Sequence, residues 1–157
     1  MGKKVNKSIY LLYAYDENAK TVKISENSYE SSIHKLGLIN KWNIVTFGSA
    51  YKLSISNGSE IVHTSIFMKH CFKFPFMKKN DIIIGPCVTI QKYRGQGLYP
   101  FAIRKISNWY KLMGFNDKVY LLIEESNVPS RRGAEKAGCV VIGRIKKTKI
   151  LKIYKCV

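Results

Sequence analysis

Residues 91–100 (QKYRGQGLYP) join an almost wholly apolar run to an amphipathic stretch, and two glycines lie among them. Glycines let the main chain approach a ligand closely, and the first turn of a helix offers unpaired N–H groups at the positive end of its dipole. A turn of this kind binds phosphate or pyrophosphate. It is neither a Walker loop nor a GxGxxG dinucleotide turn. The alternative is a tight strand-to-helix turn that binds nothing.

A second polar segment, residues 125–127 (ESN), ends an apolar run and is followed by SxxxxEKxG over residues 130–138. Arg94 and Gly97 resemble the Gln/Arg-x-x-Gly-x-Gly/Ala acetyl-CoA loop of GNAT N-acetyltransferases, with Tyr99 in place of the final small residue. The downstream segment resembles the family's Asn-x-x-Ala/Ser…Glu-Lys-x-Gly-Phe block, with Cys139 in place of Phe. Together the two motifs match residues 81–145 to the family. The first half resembles the family only in its hairpin and strand order.

The resemblance implies an α/β (α+β) fold with a mostly antiparallel central sheet flanked by helices, whose splayed central strands form an acetyl-CoA cleft. It implies acetyl-CoA as acyl donor and no metal. The pantetheine arm would lie along residues 87–89, and the N–H groups of residues 95–99 would hold the pyrophosphate. Asn127 would meet the pantetheine or a bound water, and Ser130 would add a hydrogen bond. The expected cofactor-binding residues are Cys87, Val88, Thr89, Arg94, Gly95, Gln96, Gly97, Leu98, Tyr99, Pro100, Asn127 and Ser130.

Arg131 and Arg132 follow this block directly. They either approach the phosphates of the cofactor or are ordinary exposed helix arginines.

The implied chemistry is direct attack of a neutral amine on the thioester, which needs a base and a group that protonates the leaving thiolate. Many family members place a tyrosine for the second task seven residues beyond the Asn, and that position is Ala134. Glu124 is the first candidate for the base because it ends the strand that lines the cleft; the alternative is a solvated strand-end carboxylate. His63 is the second candidate for the base, and its alternative role is that of a core histidine whose hydrogen bonds are satisfied within the protein. Tyr99 is a weaker candidate than either.

Three functions remain open on the sequence. The first is an N-acetyltransferase acting on a primary amine of a small molecule, such as an amino sugar or a metabolite. The second, motivated by Ala134, is a non-catalytic acyl-CoA-binding relative. The third is a nucleic-acid-binding module, motivated by a net charge of +17 and ten tyrosines. The basic residues are spread along the chain without a recognition motif, so nucleic acid is a weak expectation. The resemblance also allows a homodimer.

Composition bounds the scaffold that must position these residues. With 157 residues, 46% of them apolar, the sequence predicts one domain over residues 1–157, with a frayed basic tip over 1–8. No apolar run is long enough for a membrane span and the start does not resemble a signal peptide, so a soluble cytoplasmic protein is expected. The four scattered cysteines predict buried or semi-buried thiols rather than a metal site.

The predicted elements place the phosphate turn between a buried strand and a helix. We expect a hairpin over residues 50–68 with Asn57-Gly58 at its turn, and a bulge at Gly85-Pro86. A helix over 98–113 should bury a stripe made of Leu98, Phe101, Ala102, Ile106, Trp109 and Met113. The remaining predictions are strands over 9–15, 81–90, 118–123, 140–145 and 150–154, and helices over 30–39 and 128–137.

Overall fold

The computed structural model describes residues 9–19, 29–37, 40–41, 49–147 and 153–156. The strands in these ranges are β1 (Ile9–Tyr15), β2 (Glu30–Lys35), β3 (Ala50–Asn57), β4 (Glu60–Lys69), β5 (Ile82–Thr89), β6 (Val119–Glu124), β7 (Cys139–Lys147) and β8 (Tyr154–Cys156). The helices are α1 (Leu98–Leu112) and α2 (Val128–Ala137), and a 3-10 turn covers Gln91–Tyr93. The strands form one eight-stranded sheet in the order β2-β3-β4-β5-β6-β1-β7-β8. The predicted mixed, mostly antiparallel sheet is confirmed.

Strand β1 lies in the interior of the sheet although it is the first described element of the chain. It pairs antiparallel with β6 on one side and with β7 on the other. Leu11 and Tyr13 belong to the core on one face of the sheet, and Leu12 belongs to the core on the other face. A strand covered on both faces reads as an apolar run rather than an alternating one. This explains why its IYLLYAY sequence lacks a polar face.

Both described helices pack on the same face of the sheet. The core on that face joins Ile103 and Ile106 of α1 and Ala134 of α2 to strand residues such as Tyr13 and Leu121. The opposite face is covered by the segment between β4 and β5, which contributes Cys71, Phe74 and Met77, and by Tyr154 of β8. The helices therefore stand over one side of the central strands, and that side carries the candidate site.

Most of the predicted elements are confirmed at the residues that define them. Asn57 and Gly58 form the turn of the β3–β4 hairpin, where Gly58 has a φ of 59°. Helix α2 has the predicted bounds and ends at Gly138, whose φ is 97°. Helix α1 starts as predicted at Leu98. These features rest on local backbone chemistry, which is why the sequence indicated them.

The helix predicted over residues 30–39 is wrong, because residues 30–35 form β2 and pair along their whole length with β3. Ile33 packs against the core, and the polar residues beside it face away. A segment with so few apolar residues is compatible with the strand period as well as with the helical period. Pairing with a distant strand decided between the two. Residues 38–39 lie outside the described part of the chain.

Two predictions of burial are also wrong. Met113 is 57% exposed rather than part of the α1 stripe, because the helix ends at Leu112 and Met113 is its C-cap. Tyr110 and Ile103 are buried in its place. Cys156 is exposed, since β8 is an edge strand, whereas Cys71 and Cys139 are buried as predicted. The predicted tip over residues 1–8 and residues 150–152 of the last predicted strand lie outside the described ranges. One domain for the whole chain stays a prediction.

Candidate functional site

The sheet opens between its two parallel strands. β5 and β6 pair at only three positions, Ile82 with Val119, Ile83 with Tyr120 and Ile84 with Leu121. Beyond Ile84 the strands separate, while β5 stays paired with β4 and β6 stays paired with β1. The separation begins at Gly85-Pro86, where the β4–β5 register shifts between Ser65 and Phe67. The predicted bulge and the predicted splay of the central strands are both confirmed.

The free edge of β5 presents main-chain hydrogen-bonding groups to this gap. The N–H group of Ile90 donates to the carbonyl of Val62, 3.0 Å away, so these residues face each other as a hydrogen-bonded pair. Antiparallel pairs alternate between bonded and non-bonded. The N–H and C=O groups of Cys87 and Thr89 therefore point away from β4 and toward the gap. The Thr89 carbonyl accepts a hydrogen bond from Nε of Arg94 at 3.2 Å.

The turn that follows β5 contains five consecutive N–H groups that no described residue accepts from. Gly95 and Gly97 have φ values of 78° and 81°, a left-handed conformation that favours glycine. α1 begins directly after Gly97, without a side chain that caps its first turn and without an acidic residue in that turn. Among the described residues, none accepts a hydrogen bond from the N–H groups of residues 95–99. Pro100 has no N–H and is buried, as is Leu98. The arrangement suits an anion.

Two tyrosines tie this turn to other parts of the sheet. The hydroxyl of Tyr93 donates to Oε2 of Glu60 at 2.9 Å and accepts from Nδ2 of Asn57 at 3.3 Å, both at the tip of the β3–β4 hairpin. The hydroxyl of Tyr29 donates to Oε1 of Gln96 at 2.6 Å. The turn is thus held from two sides. The role of these tyrosines was not visible in the sequence, because their partners lie 33 and 67 residues away.

The start of α2 forms the other border of the gap. The side chain of Asn127 caps the helix, accepting from the N–H of Ser130 at 3.3 Å. Arg131 donates to the carbonyl of Glu125 at 3.1 Å and to the Tyr13 hydroxyl at 3.4 Å. It is therefore engaged with its own fold, whereas Arg132 is exposed. The structure brings Asn127 and Ser130 together at one helix start, and their part in binding the cofactor stays a prediction.

The two residues predicted as bases lie in different surroundings. Glu124 is exposed at the end of β6, beyond the last β5–β6 pair. His63 is 1% exposed, and its Nδ1 and Nε2 lie 2.7 Å from Oγ1 of Thr89 and 2.8 Å from Oγ of Ser65. Burial lowers the pKa of His63 to about 4, so the ring is neutral at pH 7. A proton could reach His63 only through one of those hydroxyls.

The hydrogen-bonded chain continues from Ser65 into β5. Its hydroxyl donates to Sγ of Cys87 at 3.1 Å, and burial raises the pKa of this thiol to about 11. Thr89, His63, Ser65 and Cys87 thus form one buried polar row beneath the edge of the gap. Every polar group in the row has a partner, which offsets the cost of burying it.

Ala134 is completely buried, and its neighbour Gly133 lies against a side chain of α1. The ring of Tyr99 lies against Gly133, where an added Cβ would stand 2.6 Å from Cδ1 of the ring. The same ring lies 6.4 Å from the His63 ring, measured between centroids. Burial raises the pKa of Tyr99 well above its usual range, and the nearby Cys87 adds to this shift. Tyr99, in the first turn of α1, therefore fills the space beside Gly133 in the middle of α2.

Within the described ranges, no group of three or more His, Cys, Asp and Glu side chains could hold a metal ion. No described helix is long and apolar enough to cross a membrane.

Comparison with solved structures identifies the fold. A GNAT-family acetyltransferase from Colwellia psychrerythraea aligns with 88% of the chain at a TM-score of 0.59 and 10% identity. A GCN5-related N-acetyltransferase from Sphaerobacter thermophilus aligns with 89% at 0.60 and 14%, and one from Kribbella flavida with 85% at 0.55 and 12%. No family model and no curated protein matches the sequence. The chain has the GNAT fold, as its two motifs predicted.

The chain spans about half the length of these three proteins, since the alignments cover 54%, 50% and 55% of them. At identities of 10–14% the likeness shows the fold alone. Activity, cofactor and acceptor therefore have to be argued from the site itself.

Proposed function

We propose that this chain is an acetyltransferase that moves the acetyl group of acetyl-CoA to a primary amine of a small molecule, such as an amino sugar or a metabolite. The observation that carries the proposal is the direct continuity of two binding surfaces. The free edge of β5 runs into a turn whose N–H groups, from Gly95 to Tyr99, have no acceptor among the described residues. An extended amide chain that ends in a pyrophosphate matches this sequence of groups.

Each part of acetyl-CoA has a counterpart on this surface. The pantetheine amides would extend the sheet by pairing with the N–H and C=O groups of Cys87 and the N–H group of Thr89, in the manner of an added strand, whereas the Thr89 carbonyl already accepts from Arg94. The pyrophosphate would accept from the N–H groups at the start of α1, where the helix dipole also favours an anion. Arg94 stands beside that turn and adds positive charge, whereas the charge of Lys92 is paired with Glu60 at 2.9 Å. Bound acetyl-CoA supplies the activated acetyl group.

The acceptor amine must be neutral to attack, and Glu124 is the proposed base. Its carboxylate is exposed at the end of β6, on the side of the gap opposite Cys87. A solvent-accessible carboxylate can take a proton directly or through a water. His63 stays the second proposed base, but it is reached only through the hydroxyl of Thr89 or Ser65.

The second proposal is a non-catalytic acyl-CoA-binding protein with the same site. Ala134 favours it, because this buried methyl group cannot give a proton to a leaving thiolate. The two proposals share the binding surface and differ only in turnover. We place either activity in the reducing cytoplasm, consistent with four cysteines that are all free thiols.

The binding test is a thermal-shift and calorimetric titration with acetyl-CoA, using Gly97→Glu as the disabled variant. Gly114→Glu is the matched control, because Gly114 stands at the other end of α1 with a φ of 84°, close to the 81° of Gly97. Both substitutions add the same charge and similar backbone strain. We expect saturable stabilisation of the wild type and of Gly114→Glu, and none of Gly97→Glu.

Absence of stabilisation in the wild type would overturn both acyl-CoA proposals. Salt-sensitive binding of generic oligonucleotides would then favour the nucleic-acid function that the +17 charge suggests. If acetyl-CoA binds, release of the free CoA thiol in the presence of a panel of primary amines separates the transferase from the non-catalytic relative.

A further inference from the structure

The site needs a proton donor for the leaving thiolate, and α2 does not supply one. Ala134 has no acidic hydrogen, and it is covered completely. Its neighbour Gly133 leaves room for an aromatic ring, and that room is taken by Tyr99 of α1. The ring that borders this part of the cleft therefore comes from the helix that also carries the phosphate turn.

The ring of Tyr99 stands over the part of β5 that has separated from β6. Its centroid lies 6.4 Å from that of His63, whose Nδ1 lies 2.7 Å from Oγ1 of Thr89 on the free edge. Tyr99 also packs against the core on the helix face, together with Cys87. Since Cys87 and Thr89 offer their main-chain groups to the gap, a thioester bound along this edge would lie beneath the tyrosine.

The hydroxyl of Tyr99 differs from those of Tyr13 and Tyr110, the two buried tyrosines of the same core. Tyr13 donates to Glu135, and Tyr110 donates to the carbonyl of Asn80. The hydroxyl of Tyr99 has no hydrogen-bond partner among the described residues, yet its oxygen is not sealed from solvent, since no fully buried side-chain polar atom there lacks a partner. A hydroxyl in a largely apolar setting gains most from a partner when that partner is charged.

Resting on the proposed function, we propose that the Tyr99 hydroxyl is the catalytic acid of this site and gives its proton to the sulfur of CoA. The amine nitrogen forms its bond to the acetyl carbon and loses a proton to the base. When the C–S bond breaks, the electron pair stays on sulfur, and sulfur takes the phenolic proton. The proton released by nitrogen returns to the phenolate through solvent. The products are the acetylated amine, the free CoA thiol and unchanged Tyr99.

Burial acts on both partners of this proton transfer. It raises the pKa of Tyr99, so the phenol is fully protonated at neutral pH but is a weaker acid than an exposed tyrosine. Burial also raises the pKa of the nearby Cys87 thiol to about 11, which shows that a thiolate is costly in the same surroundings. A thiolate formed there is therefore strongly stabilised when it takes a proton or accepts a hydrogen bond.

The test compares Tyr99→Phe, which removes only the hydroxyl, with the control Tyr51→Phe. Tyr51 lies on the same face of the sheet but packs against Phe67 and Trp109, away from the gap. We expect Tyr99→Phe to bind acetyl-CoA within about twofold of wild type by calorimetry, and to lose about a hundredfold in kcat, the contribution of a general acid. Tyr51→Phe should keep wild-type kcat and KM.

A second acetyl donor distinguishes an acid from a structural residue. An aryl thioester of acetic acid releases a thiolate that needs no proton, so it should bring the kcat of Tyr99→Phe close to that of the wild type. A wild-type kcat for Tyr99→Phe with acetyl-CoA would overturn the proposal. So would tighter acetyl-CoA binding by an active Tyr99→Ala variant, which would mean that the ring occupies cofactor space. Failure of the wild type to turn over any amine would instead count against the proposed function.

Discussion

The ring of Tyr99 in α1 contacts the backbone of Gly133 in α2, and a Cβ added to Gly133 would stand 2.6 Å from the ring. Glycine at 133 and tyrosine at 99 are therefore matched to each other. The ring reaches α2, which has Ala134 at the position where many relatives place a proton-donating tyrosine. Because Gly133 has no Cβ, the ring of Tyr99 fits against that helix.

This contact predicts the effect of Gly133→Ala. The new methyl group must displace the ring of Tyr99, and overpacking of this kind costs about 1–3 kcal/mol, partly offset by the better helix propensity of alanine. We expect a lower free energy of unfolding in urea and, if Tyr99 is the acid, a lower kcat.

Gly143→Ala is the control, because an added Cβ there meets nothing within 4 Å. It should change the free energy of unfolding by less than about 1 kcal/mol. Equal stability and equal kcat in both variants would show that the ring moves aside without consequence.

The burial of His63 predicts how stability depends on pH. The folded pKa is about 4, below the value of 6.5 expected for the unfolded chain. Between pH 6.5 and 4 the unfolded chain binds the extra proton, so stability is present above pH 6.5 and falls as the pH is lowered through this window. The loss attributable to this residue is about 3 kcal/mol.

Urea unfolding of the wild type, His63→Gln and His34→Gln between pH 4.5 and 7.5 measures this slope. His34 is exposed, so its variant should keep the wild-type slope, whereas His63→Gln should flatten it. A parallel slope for all three proteins would mean that His63 is accessible and charges in the folded state.

The ties to the phosphate turn predict that Tyr93→Phe weakens acetyl-CoA binding. The variant loses the hydrogen bonds to Glu60 and Asn57 that hold residues 91–97 against the hairpin tip. We expect Kd for acetyl-CoA to rise about three- to tenfold, because part of the binding free energy then orders the turn. Calorimetry against Tyr51→Phe measures the effect, and an unchanged Kd would show that the glycine turn is rigid by itself.

The cap at Asn127 predicts a separation of stability from binding. Asn127→Ala should lower the free energy of unfolding by about 1 kcal/mol, whereas Asn127→Ser should restore it, because serine also caps a helix. If the amide of Asn127 meets the pantetheine, both variants should bind acetyl-CoA more weakly than wild type. Full recovery of affinity in the serine variant would reduce the role of Asn127 to the cap.

Much of the site could be predicted from the sequence because its parts are local. Gly97 before Leu98 and Pro100, Asn127 before α2, and Asn57-Gly58 in the hairpin each impose a backbone geometry on their own neighbours. A bulge at Gly85-Pro86 follows from a residue without an N–H in a central strand. The sequence alone therefore determined where the phosphate turn, the hairpin turn, the bulge and the starts of α1 and α2 lie.

Only the tertiary structure decided which distant residues meet. Pairing with β3 made residues 30–35 a strand, and β1 entered the sheet between β6 and β7 rather than at an edge. Tyr99 reaches Gly133, and His63 joins Thr89 to Ser65, through contacts across several elements. Such contacts depend on how the strands assemble and on which space the helices leave open, and neither is encoded in the spacing of residues along one segment.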